Sequence, residues 1–255
     1  MFPTSLDVAK LEVEIELAKR AQLSLLPKDL PRIAGLDIWA ATRAAYHVGG
    51  DFYDFTEHSS RRLTLVVGDV SGKGLAAALF MAVTRRVIRT QATFRAGPTP
   101  ETILHYTNSE LYLDFTKAMM LATAFVGQFD PDHHVLTYAN AGHSPVIYRP
   151  ANGEAQVLMA EGTALGVLSK SLATDQHLTF RPGDVLVIGT DGLNEARNDD
   201  NRMFGYYGLK RIVDATAHLP AHAIVAELFA AVELHSQGEG LQDDQTLVVV
   251  KYTGD

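Results

Sequence analysis

The chain has 255 residues, 47% hydrophobic and 20% charged, so it can bury a substantial core and lies outside the disordered class. Its net charge of −8 argues against a general nucleic-acid binder, which must neutralise phosphates. It has no cysteine, which excludes disulfides, zinc–thiolate sites, iron–sulfur clusters and cysteine nucleophiles.

Residues 5–26 read as a helix, with Thr4 and Asp7 fitting a capping box. Val8, Leu11, Ile15, Ala18, Gln22 and Leu25 follow alternating three- and four-residue steps, a heptad seam. Such a seam suits a coiled coil or a helix packed on its own domain. Pro27 and Pro31 stop the helix. LDIWAATRAA then reads as a strand, and the wholly apolar LTLVVGDV as a central, covered one. Helices fit 74–94 and 100–115. Hairpins are expected around Asp130-Pro131-Asp132 and around Asn152-Gly153. TDQHLTF and VLVIGTDG are expected to form a third pair through Arg181-Pro182-Gly183-Asp184. Helices at 206–216 and 221–235 precede a last strand, LVVVKY.

This order is not the strict alternation of a doubly wound sheet, and the closely spaced middle strands call for antiparallel pairing. The expected fold is α+β: an antiparallel β-sandwich flanked by helices in α-β-β-α layers. A helical arm over 1–30 would precede a domain over 31–255. No apolar run approaches the ~20 residues of a membrane span, and the N-terminus lacks a basic-then-apolar signal. A soluble cytoplasmic protein is expected, without nucleic-acid or membrane partners.

Four acidic motifs lie where predicted strands meet turns: Gly49-Gly50-Asp51-Phe52-Tyr53-Asp54, Gly68-Asp69-Val70-Ser71-Gly72-Lys73-Gly74, Gly189-Thr190-Asp191-Gly192 and Gln242-Asp243-Asp244-Gln245-Thr246. An acid at the end of a buried strand costs free energy unless it is paired or bound to a cation. Strand alternation puts Asp51 and Tyr53 on one face and Phe52 and Asp54 on the other. Asp51 is the better ligand candidate of the two, and Asp54 the more structural. Asp69, Asp191 and the Asp243-Asp244 pair could converge at one end of the sheets. Without thiols, such a cluster suits Mg²⁺ or Mn²⁺. GDVSGKG lacks the spacing of a phosphate loop, since Gly74 follows Lys73. His133-His134 reads as a solvated turn. His143, in a glycine turn between strands, is a candidate for capping or for a role near the site.

Together VGGDFYDF, VVGDVSGKGLAAALFMA, YANAGHSPVIY, LVIGTDGLNEARN, FGYYGL and QDDQTLVVV resemble the bacterial SpoIIE/RsbU-like branch of the PPM-type (type 2C) metal-dependent serine/threonine phosphatases. The resemblance implies a β-sandwich with two Mn²⁺ or Mg²⁺ ions at one end. It implies that Asp69 bridges both ions and that the Val70 backbone carbonyl binds one. Asp191 and Asp243 would hold the first ion and Asp51 the second, with Asp244 behind them. A metal-activated water would attack a phosphomonoester, and His143 is a candidate proton donor. The implied substrate is a phosphoserine or phosphothreonine protein, an anti-sigma-factor antagonist of STAS type. An upstream sensory or receiver domain is implied, and the heptad seam offers a homodimer through the N-terminal helix. Larger relatives carry a phosphate-gripping Arg and a Glu where this chain has Tyr46 and Gly50, so phosphate binding would come from the metals or from a neighbour such as Arg43 or Lys73. The alternatives are a two-metal phosphodiesterase, a catalytically silent phosphoprotein-binding module and a Ca²⁺-stabilised β protein. Residues 192–205 are the expected mobile cover of the site.

Overall fold

The computed structural model describes residues 5–58, 62–94, 97–237 and 240–254. The chain runs through α1 (Ser5–Leu25), β1 (Leu36–Arg43), β2 (Asp51–Glu57), β3 (Leu63–Val70), α2 (Gly74–Phe94) and α3 (Pro100–Ala118). It continues with β4 (Ala122–Asp130), β5 (Val135–Ala141), β6 (Val146–Arg149), β7 (Gln156–Val157), β8 (Gln176–Thr179) and β9 (Val185–Gly189). The last elements are α4 (Asp191–Asn194), α5 (Gly205–Thr216), α6 (Ala221–His235) and β10 (Gln245–Tyr252). The expected capping box at Thr4 and Asp7 lies outside the described residues and side chains.

Two five-stranded antiparallel sheets stack face to face. One has the order β1-β10-β9-β6-β7 and the other β2-β3-β4-β5-β8. Helices α5 and α6 cover the first sheet, and α2 and α3 the second. This is the α-β-β-α layering read from the element order.

The uniformly apolar strands follow from this layering, because a strand covered on both faces has no polar side. In β10, Val248, Val250 and Tyr252 enter the core between the sheets, while Leu247 and Val249 pack toward α5 and α6. In β9, Leu186 and Ile188 take the first side, Val185 and Val187 the second. Each fully buried Leu, Ile or Val contributes on the order of 1.5–3 kcal/mol. Helix α3 begins with a reciprocal cap, Thr99 accepting from Thr102 N while Thr102 Oγ1 accepts from Thr99 N. Such a cap contributes about 1 kcal/mol.

One expected pairing is corrected. β8 and β9 do not form a hairpin: β8 pairs with β5 at the edge of one sheet, and β9 lies between β10 and β6 in the other. The Arg181–Asp184 turn carries the chain from sheet to sheet. Buried Asp184 fixes it, accepting from Ala151 N, Arg181 N and the Tyr148 hydroxyl. Phe180 N bonds His134 O on one side of the crossing, and Gly183 N bonds Tyr252 O on the other. The turn residues were legible, but the partner of each flanking strand was not.

Helix α1 lies against the domain along part of its seam. Ile15, Ala18 and Gln22 are partly covered, whereas Leu11 and Leu25 are exposed together with Val13, Leu17 and Leu23. Gln22 belongs to no apolar seam here. Its Nε2 donates to Gly49 O at 2.6 Å and its Oε1 accepts from Gly49 N at 3.1 Å.

Candidate metal centre

Four segments meet at one end of the sandwich. In the second sheet, Asp51 opens β2 directly opposite Asp69 near the end of β3. In the first, β9 ends at Gly189 and pairs with Leu247 near the start of β10, which sets Thr190-Asp191 beside Asp243-Asp244. The two sheets are bridged there, since Thr190 Oγ1 donates to Asp51 Oδ2 at 2.6 Å. The same hydroxyl accepts from Thr246 N at 3.0 Å. Asp51, Asp69, Asp191, Asp243 and Asp244 are thus brought to one place.

The backbone had to come unusually close for this. A Cβ on Gly50 would overlap the Val70 carbonyl oxygen, and one on Gly192 would overlap the Asp244 carbonyl. A Cβ on Gly49 would overlap the Asp244 carboxylate. Glycine is therefore demanded at these positions by close approach. The Val70 carbonyl oxygen and Asp69 Oδ1 both lie against Gly50.

The electrostatics are those of acids in excess. Burial, then the Asp69 charge, raise the Asp51 carboxyl well above the usual carboxylate range. Asp69 is pushed up to about 7 by burial, then by Asp191 and Asp243. Asp191 stands exposed at the rim, yet the protein around its carboxyl, then Glu195 and Asp243, raise it too. Buried Asp244 is raised by desolvation and by Asp243, although its Oδ1 accepts from Ala45 N at 2.8 Å. The ion pair recorded at the cluster is Lys73–Asp243 at 3.0 Å. Like charges packed this closely relax when a cation enters.

The donor set fits hard cations: carboxylates plus a backbone carbonyl, with neither thiolate nor imidazole. Among the described residues no three such side chains are closed into a single-ion cage. Each of three carboxylates is instead held by a local partner: Asp51 by Thr190, Asp243 by Lys73 and Asp244 by Ala45.

His143 does not suit a proton donor. It is buried, and its Nδ1 is 2.9 Å from Thr123 Oγ1. Burial pulls its pKa down to about 3, with the Gly189 backbone offsetting part of the drop. An imidazole that stays neutral across the working pH range carries no spare proton. It sits behind Thr123, which pairs with Asp69, so its place is in the support of β4.

Within residues 192–205, expected as the mobile cover, 196–204 form a closed turn. Phe204 N bonds Ala196 O, and Arg197 Nη1 bonds Asn201 O. Asp191 itself opens the one-turn helix α4 rather than ending a strand. A cleft of about 430 Å³ lies beside the cluster, lined in part by Arg43, Lys73, Glu195, Arg197, Glu233 and Asp243. Three contributors escaped the sequence reading: Thr190 as the brace between sheets, Gln22 as the clamp on Gly49, and Tyr46 as an aromatic platform under Lys73. Thr190 had a signal, since it stands inside the Gly-Thr-Asp-Gly motif. Tyr46 was noted only as standing where larger relatives carry the phosphate-gripping Arg, and Gln22 only as a heptad position.

A family model described as "Stage II sporulation protein E (SpoIIE)" matches residues 59–253. Protein IcfG of Synechocystis sp. is 29% identical over 93% of this chain and 41% of its own length. The phosphoserine phosphatase RsbU of Bacillus subtilis is 29% identical over 95% of this chain and 71% of its own. The chain thus spans less than half of one curated relative and more than two thirds of the other. Among solved structures, the SiaA-PP2C domain of Pseudomonas aeruginosa superposes with a TM-score of 0.85 at 21% identity, covering 98% of this chain and all of that one.

Proposed function

The chain belongs to the SpoIIE family, and from that premise we propose that it is a metal-dependent protein serine/threonine phosphatase. The observation that carries the reading is the gathering of five aspartates, of which Asp51, Asp69, Asp191 and Asp244 are raised by burial and by neighbouring acids while Asp243 pairs with Lys73. Asp51, Asp69, Asp191, Asp243 and the Val70 carbonyl would hold two Mn²⁺ or Mg²⁺ ions, with Asp244 bracing the segment behind them. Such ions, when bound, lower the pKa of a shared water and neutralise phosphoryl charge.

The chain's own residues do the rest. Thr190 fixes the Asp51 rotamer by its 2.6 Å hydrogen bond, so that ligand is oriented before any ion arrives. Asp244 ties Ala45 to the start of β10 and so holds the Gly49-Gly50-Asp51 turn. No cysteine is available as a nucleophile, and the Thr190 hydroxyl is engaged on both sides.

The substrate we propose is a phosphoserine or phosphothreonine on a STAS-type antagonist of an anti-sigma factor, in cytoplasmic partner-switching signalling. RsbU, named a phosphoserine phosphatase, supports that class. Residues 1–30 would be an arm on a catalytic domain over 31–255, linked to a sensory or receiver partner and dimerising through its exposed leucines. The Gln22–Gly49 clamp gives such an arm a direct mechanical connection to the turn that carries Asp51.

The test is p-nitrophenyl phosphate hydrolysis with Mn²⁺, with Mg²⁺ and with EDTA, for the wild type, Asp69→Asn and Asp191→Asn. Metal-dependent turnover that drops by orders of magnitude in both variants is expected. Turnover that survives EDTA, or a preference for diesters, would overturn the reading.

A further inference from the structure

Lys73 occupies the short connection between β3 and α2, with a glycine on either side. Gly72 has φ +93° and Gly74 φ +71°, a left-handed pair that few other residues adopt. This backbone turns the lysine toward β10. Its Nζ donates to Gln242 O at 2.7 Å and pairs with Asp243 Oδ2 at 3.0 Å. The ammonium also lies 5.5 Å from the centre of the Tyr46 ring. Two separate segments, the one before β10 and the one before β2, therefore hold this cation against the acidic cluster.

An ammonium has three N–H donors, and two are spent on Gln242 and Asp243. The Lys73 side chain is 46% exposed and lines the cleft beside Asp243, so its third donor has open space before it. The other cations of the cleft are held by protein partners away from Asp243. Arg43 bonds Glu233 at 3.1 Å and lies 4.4 Å over the Phe229 ring. Arg197 gives Nη1 to the Asn201 carbonyl and side chain.

We infer that Lys73 is the residue that binds the phosphate group of the substrate beside the metal centre, with Tyr46 as the platform that positions it. The inference rests on the phosphatase reading above. The ligand class is a phosphomonoester dianion or its product, inorganic phosphate. A phosphate oxygen takes the third N–H in a charge-assisted hydrogen bond, while the Gln242 carbonyl keeps the ammonium in place. Arg43 is the runner-up, because Glu233 and Phe229 hold it toward α6 while Lys73 is held against Asp243.

The experiment compares wild type, Lys73→Met, Lys73→Arg and Tyr46→Leu. It reads KM for p-nitrophenyl phosphate and the inhibition constant of inorganic phosphate at saturating Mn²⁺. Mn²⁺ titration calorimetry without substrate gives a second readout. Lys73→Met should raise both phosphate constants about tenfold or more, and Lys73→Arg should recover most of the loss. Tyr46→Leu should raise them by a smaller factor. Mn²⁺ affinity of Lys73→Met should hold or tighten, because a competitor for Asp243 is gone.

Unchanged phosphate constants in Lys73→Met would overturn the inference. So would a defect that vanishes at saturating Mn²⁺ together with weakened Mn²⁺ binding, because the lysine would then merely hold Asp243. If Lys73→Met fails to fold, an unchanged phosphate inhibition constant in Tyr46→Leu overturns the platform and a raised one supports it. Wild type inactive with every metal would instead refute the phosphatase reading, and phosphate calorimetry on the Mn²⁺-loaded wild type and Lys73→Met would still test the lysine.

Discussion

Asp51 and Asp54 stand three residues apart on β2 and face opposite ways, so one strand carries two buried acids into two different surroundings. Asp54 points toward α2 and meets two arginines, Arg89 at 2.6 Å and Arg85 at 3.2 Å. Asp51 points toward the other sheet and meets Asp69, Asp244 and a threonine hydroxyl. The fold supplies the counter-charge on one face and leaves it out on the other. A buried carboxylate with an internal cation completes the structure, and one surrounded by further carboxylates asks for a cation from outside. The difference separates the scaffold from the site within a single strand.

The comparison breaks most visibly at Asp54. Asp54→Ala should cost about 3–5 kcal/mol, because it strands Arg85, whose side chain is only 12% exposed. Urea denaturation checks this, and turnover per folded molecule should stay near wild type. A loss of turnover without a loss of stability would show that Asp54 belongs to the site after all.

The second prediction takes the opposite face. In the metal-free protein, Asp69 keeps its proton up to about pH 7 when folded but ionises near the ordinary carboxylate value of 3.8 when unfolded. Between those values the native state binds more protons, so this group makes stability fall as pH rises through that window. Thermal melts in EDTA from pH 4 to 8 should therefore show Asp69→Asn gaining on the wild type as pH rises. Mn²⁺ at pH 8 should raise the Tm of the wild type more than that of the variant. A Tm difference that does not change with pH would remove the electrostatic half of the comparison.

A smaller effect is expected at the glycine that lets the strand ends approach. Gly50→Ala pushes a methyl group onto the Val70 carbonyl. The cost should be about 1–3 kcal/mol, with Mn²⁺ affinity lowered in calorimetry. Gly74→Ala serves as the contrast: its Cβ meets nothing within 4 Å, so any loss there reflects its φ of +71° alone. The smallest effect belongs to Gln22→Ala, which removes both bonds of the Gly49 clamp. About 1–2 kcal/mol of local stability should go, read as faster amide exchange at Gly49. Exchange unchanged from wild type would mean that the clamp is idle.

Much of this architecture was legible from local pattern. The apolar run of β3, the Asn152-Gly153 hairpin and the helices expected over 100–115 and 221–235 need no tertiary information, because periodicity and turn chemistry act over a few residues. The acidic motifs were legible for a related reason: an acid beside a glycine at the end of an apolar strand is out of place in water-facing logic. The exchange of strands between sheets at Arg181–Asp184 was not legible. A turn sequence specifies a change of direction and says nothing of which strand waits on the far side.

His143 and Gln22 mark the same boundary from the functional side. A histidine in a glycine turn looks the same in sequence whether it is solvated or sealed, and here it is sealed, with its pKa held near 3. Gln22 occupies a heptad position, but the domain takes it for a backbone clamp on Gly49. By itself the sequence determined the element types, the layered class and the set of acids, because each depends on residues near one another in the chain. Only the tertiary structure decided which acids are answered by arginines and which are left to one another, because counter-charge comes from segments distant in sequence. It also decided that Lys73 faces the cluster, since that needs β3, β10 and the turn before β2 to meet in space.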